Sequence, residues 1–261
     1  MTQSIRQFTI DAFTNEVFKG NPASVCLLDK WLDDDVLLNI AKENNLSETA
    51  FVVSKNDEFE LRWFTPKVEV SLCGHATLAT AFALYTALEN CPEVLKFHTM
   101  SGLLIVQKIG DKLFMDLPIF ELKKVDNVAK IGEILGVMPK EVYLGRDLLC
   151  VFDDENIVKN YEVNDEKIAQ LDGVLCHFTT KGAEFDCVSR SFGAKIGISE
   201  DPVCGSAHCH IFPYWSDKIG KDELIGFQAS ERTGILYGRM TGDRLLLGGQ
   251  AVLFAKSEIY V

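Results

Sequence analysis

The second half of this sequence repeats the first. Leu72-Cys73-Gly74-His75-Ala76 in one half answers Val203-Cys204-Gly205-Ser206-Ala207 in the other, and further landmarks flank this pair in the same order. Gly20-Asn21 pairs with Gly145-Arg146, and Ile40-Ala41 with Ile168-Ala169. Arg62-Trp63-Phe64 pairs with Arg190-Ser191-Phe192, and Ser101-Gly102-Leu103-Leu104 with Thr233-Gly234-Ile235-Leu236. The offset grows from 125 through 128 and 131 to 132, as a duplication with a few small insertions gives. Two copies make a duplicated domain, since a solenoid needs about three or more stacked repeats. The expected fold therefore has two similar halves, and halves that face one another place two similar loops across one cleft.

With 261 residues, each half is long enough to bury a core of its own. A formal net charge of −12 argues against nucleic-acid binding, because a phosphate backbone is held by clustered Lys and Arg. Residues 1–10 alternate in polarity like a strand and lack the apolar stretch of a signal peptide. No window reaches the roughly 18 apolar residues of a membrane span. The expectation is a cytoplasmic protein with no membrane partner. The eight cysteines then read as thiols, since disulfides do not persist in a reducing cytosol. There is no Cys-x-x-Cys, and Cys204 to Cys209 has no matching second pair, so no structural metal is expected.

Period-two strands separated by turns dominate the chain, with a few helices between them. Strands are expected over residues 8–13, 24–28, 49–53 and 60–64, and helices over 33–44 and 75–88. The second half repeats this order, with helices over 126–135 and 165–171 and strands over 148–152, 174–179 and 185–192. A last helix opens at Cys204-Gly205 and runs to about Trp215, where Pro213 ends or kinks it. Strand pairs over 103–108 with 113–117, and over 235–240 with 244–247, close the halves. The fold class is α+β: duplicated pseudo-symmetric halves, each a mixed, β-barrel-like sheet around a central apolar helix. The halves are expected over 1–118 and 119–250, with a closing strand over 251–261 that returns to the first half.

Cys73-Gly74-His75 and Cys204-Gly205-Ser206 each open a buried helix. The first turn of a helix leaves backbone N–H groups without partners, and its dipole favours a nearby anion. A glycine there lets a ligand approach the backbone closely. Two such loops suit a small substrate with a carboxylate, or with an oxygen that becomes negative during reaction. His75 follows Gly74, and a helix N-terminus favours a neutral imidazole able to donate or accept a proton. His208 and His210 read as packing or surface residues. Asp201 precedes the second loop, where it either orients a catalytic partner or substrate or simply complements the helix dipole. Glu48 enters an apolar strand from a polar turn, where it either faces water as a turn residue or is partly shielded, which would suit its carboxyl to acid and base work. Its counterpart in the second half, near Leu175, is apolar.

Asp11-Ala12-Phe13-Thr14, Gly20-Asn21-Pro22-Ala23, Leu46-Ser47-Glu48-Thr49-Ala50-Phe51 and Phe64-Thr65-Pro66 come in sequence. They are followed by Leu72-Cys73-Gly74-His75-Ala76-Thr77 and by Glu200-Asp201-Pro202-Val203-Cys204-Gly205-Ser206-Ala207. Together these phrases resemble the phenazine-biosynthesis PhzF-like isomerase family, along the whole chain. The resemblance implies the diaminopimelate epimerase fold, no metal and no organic cofactor. It also implies Glu48 as the acid/base carboxylate, with His75, Asp201 and Ser206 lining the site beside Gly74 and Gly205. A homodimer is compatible with the resemblance, and nothing in the sequence locates an interface.

Two other readings stay open. The more distant relatives of that fold, diaminopimelate epimerase and proline racemase, use one cysteine from each half as opposed bases. Cys73 and Cys204 occupy both positions here, and a thiol at a helix N-terminus can be activated. A two-cysteine racemase or epimerase is therefore admissible, although the first loop continues Gly-His-Ala where the epimerases have Gly-Asn-Gly. The third reading is a small-molecule binding protein that keeps an enzyme fold without its chemistry.

Overall fold

A computed structural model of the protein describes residues 3–261. The chain divides into two compact units, Met1–Asp116 with Gly248–Val261, and Leu117–Leu247. One succession of strand pairings builds both.

In the first unit, β1 (Ser4–Ala12) pairs antiparallel with β2 (Asn21–Leu28). Helix α1 (Asp34–Asn44) then carries the chain to β3 (Thr49–Lys55), parallel to β2. Antiparallel pairing continues to β4 (Glu58–Phe64) and the short β5 (Glu69–Val70). After α2 (Gly74–Ala87), β6 (Val94–Thr99) returns parallel to β4. Strands β7 (Gly102–Ile109) and β8 (Lys112–Pro118) follow as antiparallel neighbours.

The second unit opens with β9 (Lys123–Lys124) and α3 (Val128–Leu135). Strand β10 (Glu141–Leu144) pairs antiparallel with β11 (Leu148–Val151), as β1 does with β2. Beyond α4 (Glu155–Asn160) and α5 (Asp165–Ile168), β12 (Cys176–Lys181) lies parallel to β11. Strands β13 (Cys187–Gly193) and β14 (Ile198–Asp201) are antiparallel, like β4 and β5. Then come α6 (Gly205–Ile219), β15 (Glu223–Gln228) parallel to β13, and β16 (Gly234–Thr241) antiparallel to β15. Strand β17 (Arg244–Gly249) leads to β18 (Ala251–Tyr260), which pairs antiparallel with β1 in the first unit.

The two buried helices are what the sheets close over. Helix α2 packs on β1, β2 and β3, and α6 on β12, β15 and β16. Small residues let the strands come close to α2: Ala76, Ala79, Ala81 and Ala83 are fully buried. Thr77 and Thr80 are buried too, and each hydroxyl donates to the carbonyl one turn back, Cys73 O at 2.6 Å and Ala76 O at 2.7 Å. That bond is what admits a hydroxyl to an apolar interior. Among the described residues no helix is long and apolar enough to cross a membrane.

The duplication extends to side chains. Arg62 on β4 forks onto Glu69 at 2.7 and 2.6 Å and lies 5.1 Å over the Phe64 ring. Arg190 on β13 forks onto Glu200 at 2.7 and 2.7 Å and lies 5.1 Å over Phe192. The backbone repeats as well: Ser24 N–H donates to Glu48 O, and Leu148 N–H to Leu175 O.

Three local expectations are corrected. Helix α6 runs through Pro213 to Ile219. A proline leaves the carbonyl four residues back without its N–H, and here that carbonyl, Cys209 O, accepts from Phe120 N–H at 3.1 Å. Helix α5 ends at Ile168, and the chain continues to Leu171 as tight turns, with Gln170 N–H on Lys167 O and Leu171 N–H on Ile168 O. Strand β12 begins at Cys176 because Val174 N–H is taken by Arg146 O and Leu175 N–H by the Asp147 carboxylate.

Candidate active site

In the first unit the structure brings Glu48, Cys73 and His75 together. Glu48 directly precedes β3, so the parallel pairing of β2 with β3 fixes its backbone. Cys73 is the N-cap of α2, and Gly74 and His75 are its first two residues. The His75 ring lies between the other two, with Nδ1 3.5 Å from Cys73 Sγ and Nε2 3.2 Å from Glu48 Oε2. The side chains of His75 and Glu48 keep only 8% and 13% exposure. The pair is close enough for strong Coulombic attraction, yet neither His75 Nε2 nor Glu48 Oε2 makes an aligned hydrogen bond.

The pKa directions here run against those that a helix N-terminus favours. Burial works against a charged His75, but Cys73 on one ring nitrogen and Glu48 on the other outweigh it, and the pKa is raised well above the ordinary histidine value. This direction is opposite to the lowering that a helix N-terminus favours, because Cys73 and Glu48 flank the ring. Burial, and then the Glu48 charge, push the Cys73 thiol up. At neutral pH Cys73 is therefore a thiol. Burial, and then Asp201, likewise push Cys204 well up. The activation that a helix N-terminus can give a thiol is opposed at both positions by desolvation, the first cause of each raised pKa.

In the second unit Asp201 ends β14, Cys204 caps α6, and Gly205 and Ser206 begin it. Gln228 on β15 staples this loop: its side-chain carbonyl accepts from Cys204 N–H at 2.8 Å and its amide donates to Asp201 O at 2.6 Å. Ser230 Oγ donates to Pro202 O at 2.6 Å. Cys204 Sγ lies 3.4 Å from Ser206 Oγ. His208 and His210 are fully buried packing residues. His208 donates from Nδ1 to Cys204 O at 2.9 Å, and burial lowers its pKa to about 4.

A family model described as phenazine biosynthesis-like protein matches residues 10–257. The chain belongs to the phenazine biosynthesis-like family. An uncharacterized isomerase of Pseudomonas aeruginosa is 44% identical over 257 residues, covering 97% of this chain and 98% of that protein. The crystal structure of a PhzF-family phenazine biosynthesis protein from Enterococcus faecalis superposes with a TM-score of 0.97 at 44% identity, over 99% of this chain and 100% of that one. A hydroxyproline epimerase of Agrobacterium vitis shares the fold alone, with a TM-score of 0.61 at 8% identity over 99% of this chain and 93% of that one. The fold is thus that of the phenazine biosynthesis-like proteins and of proline- and diaminopimelate-type epimerases. The family is enzymatic, relatives 44% and 42% identical to this chain are named isomerases, and the chain is an enzyme of that isomerase type.

Sequence reasoning missed part of what surrounds the second loop of this phenazine biosynthesis-like chain. Arg146 served only as a landmark of the repeat, and Asp147, His177 and Gln228 carried no signal. Among the described residues, two groups of side chains bring potential metal-ligating atoms together. The donor atoms of Glu48, Cys73 and His75 lie within 4.8 Å of one another, as do those of Asp147, His177 and His210. A cation at the first group would have to displace protons from the thiol and the imidazole, whose pKa values are both raised. In the second, Arg146 already forks onto Asp147.

Proposed function

We propose that this chain is a cofactor-independent isomerase that moves a proton within a small, carboxylate-bearing substrate. Glu48 takes the proton from carbon and returns it elsewhere on the same molecule. His75, whose pKa is raised, stabilises the negative charge that develops on the substrate. Gly74, Gly205 and Ser206 supply backbone N–H groups for binding, and Asp201 orients the substrate or relays the proton. The observation that carries this reading is the buried Glu48–His75 contact at 3.2 Å, in which neither reactive atom has a protein hydrogen bond. Catalytic hydrogen bonds often align only once substrate is present. Seven of the eight cysteines are buried free thiols, a usage that supports a reducing, cytoplasmic location.

A two-cysteine racemase is the second reading, favoured by the placement of Cys73 and Cys204 as helix N-caps. The raised pKa of both thiols weighs against it.

Deuterium wash-in separates the two. The enzyme is incubated in D₂O with amino acids and with cyclic hydroxy and amino acids, and masses are read. Glu48→Gln should cut exchange by about 10² to 10⁴, while Cys204→Thr keeps it. Exchange within a few-fold of wild type in Glu48→Gln would overturn the one-base mechanism, and loss confined to Cys204→Thr would establish the thiol pair.

A further inference from the structure

The Gly205–Ser206 loop has a charged neighbour with no part in the chemistry described so far. Arg146, in the turn before β11, donates from Nη2 to Ser206 Oγ at 2.9 Å. Its guanidinium is held on two sides. Nε reaches the Asp147 carboxylate at 3.2 and 3.1 Å, and Nη2 binds the same group. Its face lies 4.8 Å over the Phe120 ring, which in turn stacks on His210 at 4.5 Å.

Asp147 is fully buried, so its charge must be matched by donors. His177 Nε2 meets it at 3.1 Å and Leu175 N–H at 3.2 Å, beside the Arg146 fork. His177 is itself fixed, with Nδ1 3.1 Å from Ser191 Oγ. Burial alone would raise the Asp147 pKa, but His177 and Arg146 hold it well below the usual carboxylate range. The carboxylate is therefore a permanent anchor for the guanidinium.

All of Arg146's protein hydrogen bonds leave from Nε and Nη2. Its Nη1, with two N–H donors, has no partner among the described residues, and the side chain keeps 34% exposure. An arginine locked by an acid on one edge and open on another is preorganised for a planar, two-oxygen anion. Asp147 offsets one unit of charge close by, so the site suits a monoanion better than a phosphate dianion. The sequence repeat aligns Arg146 with Asn21, which is buried and uncharged. The acid of the proposed chemistry, Glu48, stands in the half without this cation.

We infer that Arg146 is a substrate-binding residue of this enzyme, its open guanidinium edge taking the substrate's carboxylate beside Ser206, with Asp147 and His177 as the residues that position it. This rests on the reading of a carboxylate-bearing substrate given above.

The test reads binding alone, so it stands or falls whether or not Glu48 moves a proton. Isotope-labelled full-length protein is titrated with acetate, benzoate and prolinate, and separately with inorganic phosphate, while the Arg146 Nε–H and Ser206 amide resonances are followed. At least one of the three carboxylates should shift both signals. Arg146→Gln should weaken that binding about tenfold or more, since a hydrogen bond to a charged group is lost. Arg146→Lys should recover only part of it. Asp147→Asn should let the guanidinium rotate, merging Nη proton signals that are separate in wild type. If Asp147→Asn does not fold, the Arg146 variants decide. Equal binding in wild type and Arg146→Gln would overturn the assignment. So would the absence of a shift with all three carboxylates, or a phosphate affinity above theirs.

Discussion

Nε2 of His75 lies 3.2 Å from Oε2 of Glu48, and Nδ1 of the same ring faces Cys73 Sγ at 3.5 Å. A buried imidazole between a thiol and a carboxylate gains far more from the carboxylate when charged than when neutral. The raised His75 pKa favours an imidazolium, which gives a developing anion a positive neighbour.

The sign of the pH dependence follows from the raised pKa of His75. An unfolded histidine titrates near about 6.5. The contact's contribution to stability is therefore complete below that value and is lost as pH rises through the higher, folded-state value. The His75 Cε1–H resonance, followed against pH, should show an imidazolium well above the ordinary midpoint, and Glu48→Gln should lower that midpoint. The stability advantage of wild type over His75→Gln should shrink as pH rises through the folded midpoint. A wild-type midpoint at or below the ordinary value would refute this account of the pair.

Thiol chemistry gives an independent check. The pKa values of Cys73, Cys204 and Cys91 are all raised, but Cys73 and Cys204 are buried whereas Cys91 is part-exposed. Alkylation requires both access and a thiolate. In native protein at pH 7.5, iodoacetamide should label Cys91 first, with Cys73 and Cys204 slower by at least about tenfold, read by peptide mass spectrometry. Labelling of Cys204 as fast as Cys91 would point to an activated thiol and revive the two-cysteine reading.

The paired arginines should differ in importance although they repeat one motif. Arg190 adds bonds from Nη1 to Tyr161 O at 2.7 Å and to Val158 O and Lys159 O at 3.4 Å, at the end of α4. Arg62 adds only Asp34, an exposed carboxylate at 2.9 Å. The Arg190 side chain is also less exposed, 10% against 23%. Removing it leaves Glu200 and three carbonyls without their donor, so Arg190→Met should cost about 2–4 kcal/mol and Arg62→Met about 1–2 kcal/mol. Urea unfolding of the two variants measures the difference, and equal losses would contradict this ranking.

What the sequence made legible are features that a short stretch of backbone dictates. Cys73-Gly74 and Cys204-Gly205 mark helix starts because both copies need a small residue where buried helices begin. Glu48 stood out because it interrupts the approach to an apolar strand, and its counterpart Leu175 directly precedes β12 just as Glu48 precedes β3. The features that stayed hidden depend on distant partners. Arg146 and Ser206 are 60 residues apart, and Asp147 and His177 are 30 apart, so no local pattern announces their contact. Pro213 reads as a stop because only the fold supplies Phe120 N–H to its orphaned carbonyl. The direction of the thiol pKa shifts was hidden for the same reason, since a helix dipole is visible in sequence and desolvation is not.

Gly20, a landmark of the repeat, should be among the least replaceable residues outside the site. It joins β1 to β2 with φ at +67°, and a Cβ there would stand 2.2 Å from Ala12 O and 2.6 Å from Thr14 Cγ2. The backbone carbonyl cannot move without disturbing the pairing of Ala12 with Asn21 at the end of the ladder. Gly102 supplies the control, with φ at +97° and open space where its Cβ would be. Gly102→Ala should cost only the strain of a positive φ, about 1 kcal/mol. Gly20→Ala adds a steric clash with backbone and should cost about 2–4 kcal/mol. Thermal unfolding of both variants under one set of conditions gives the comparison. A Gly20→Ala protein as stable as Gly102→Ala would mean that the turn relaxes freely, and that Gly20 repeats as Gly145 for some reason other than close approach.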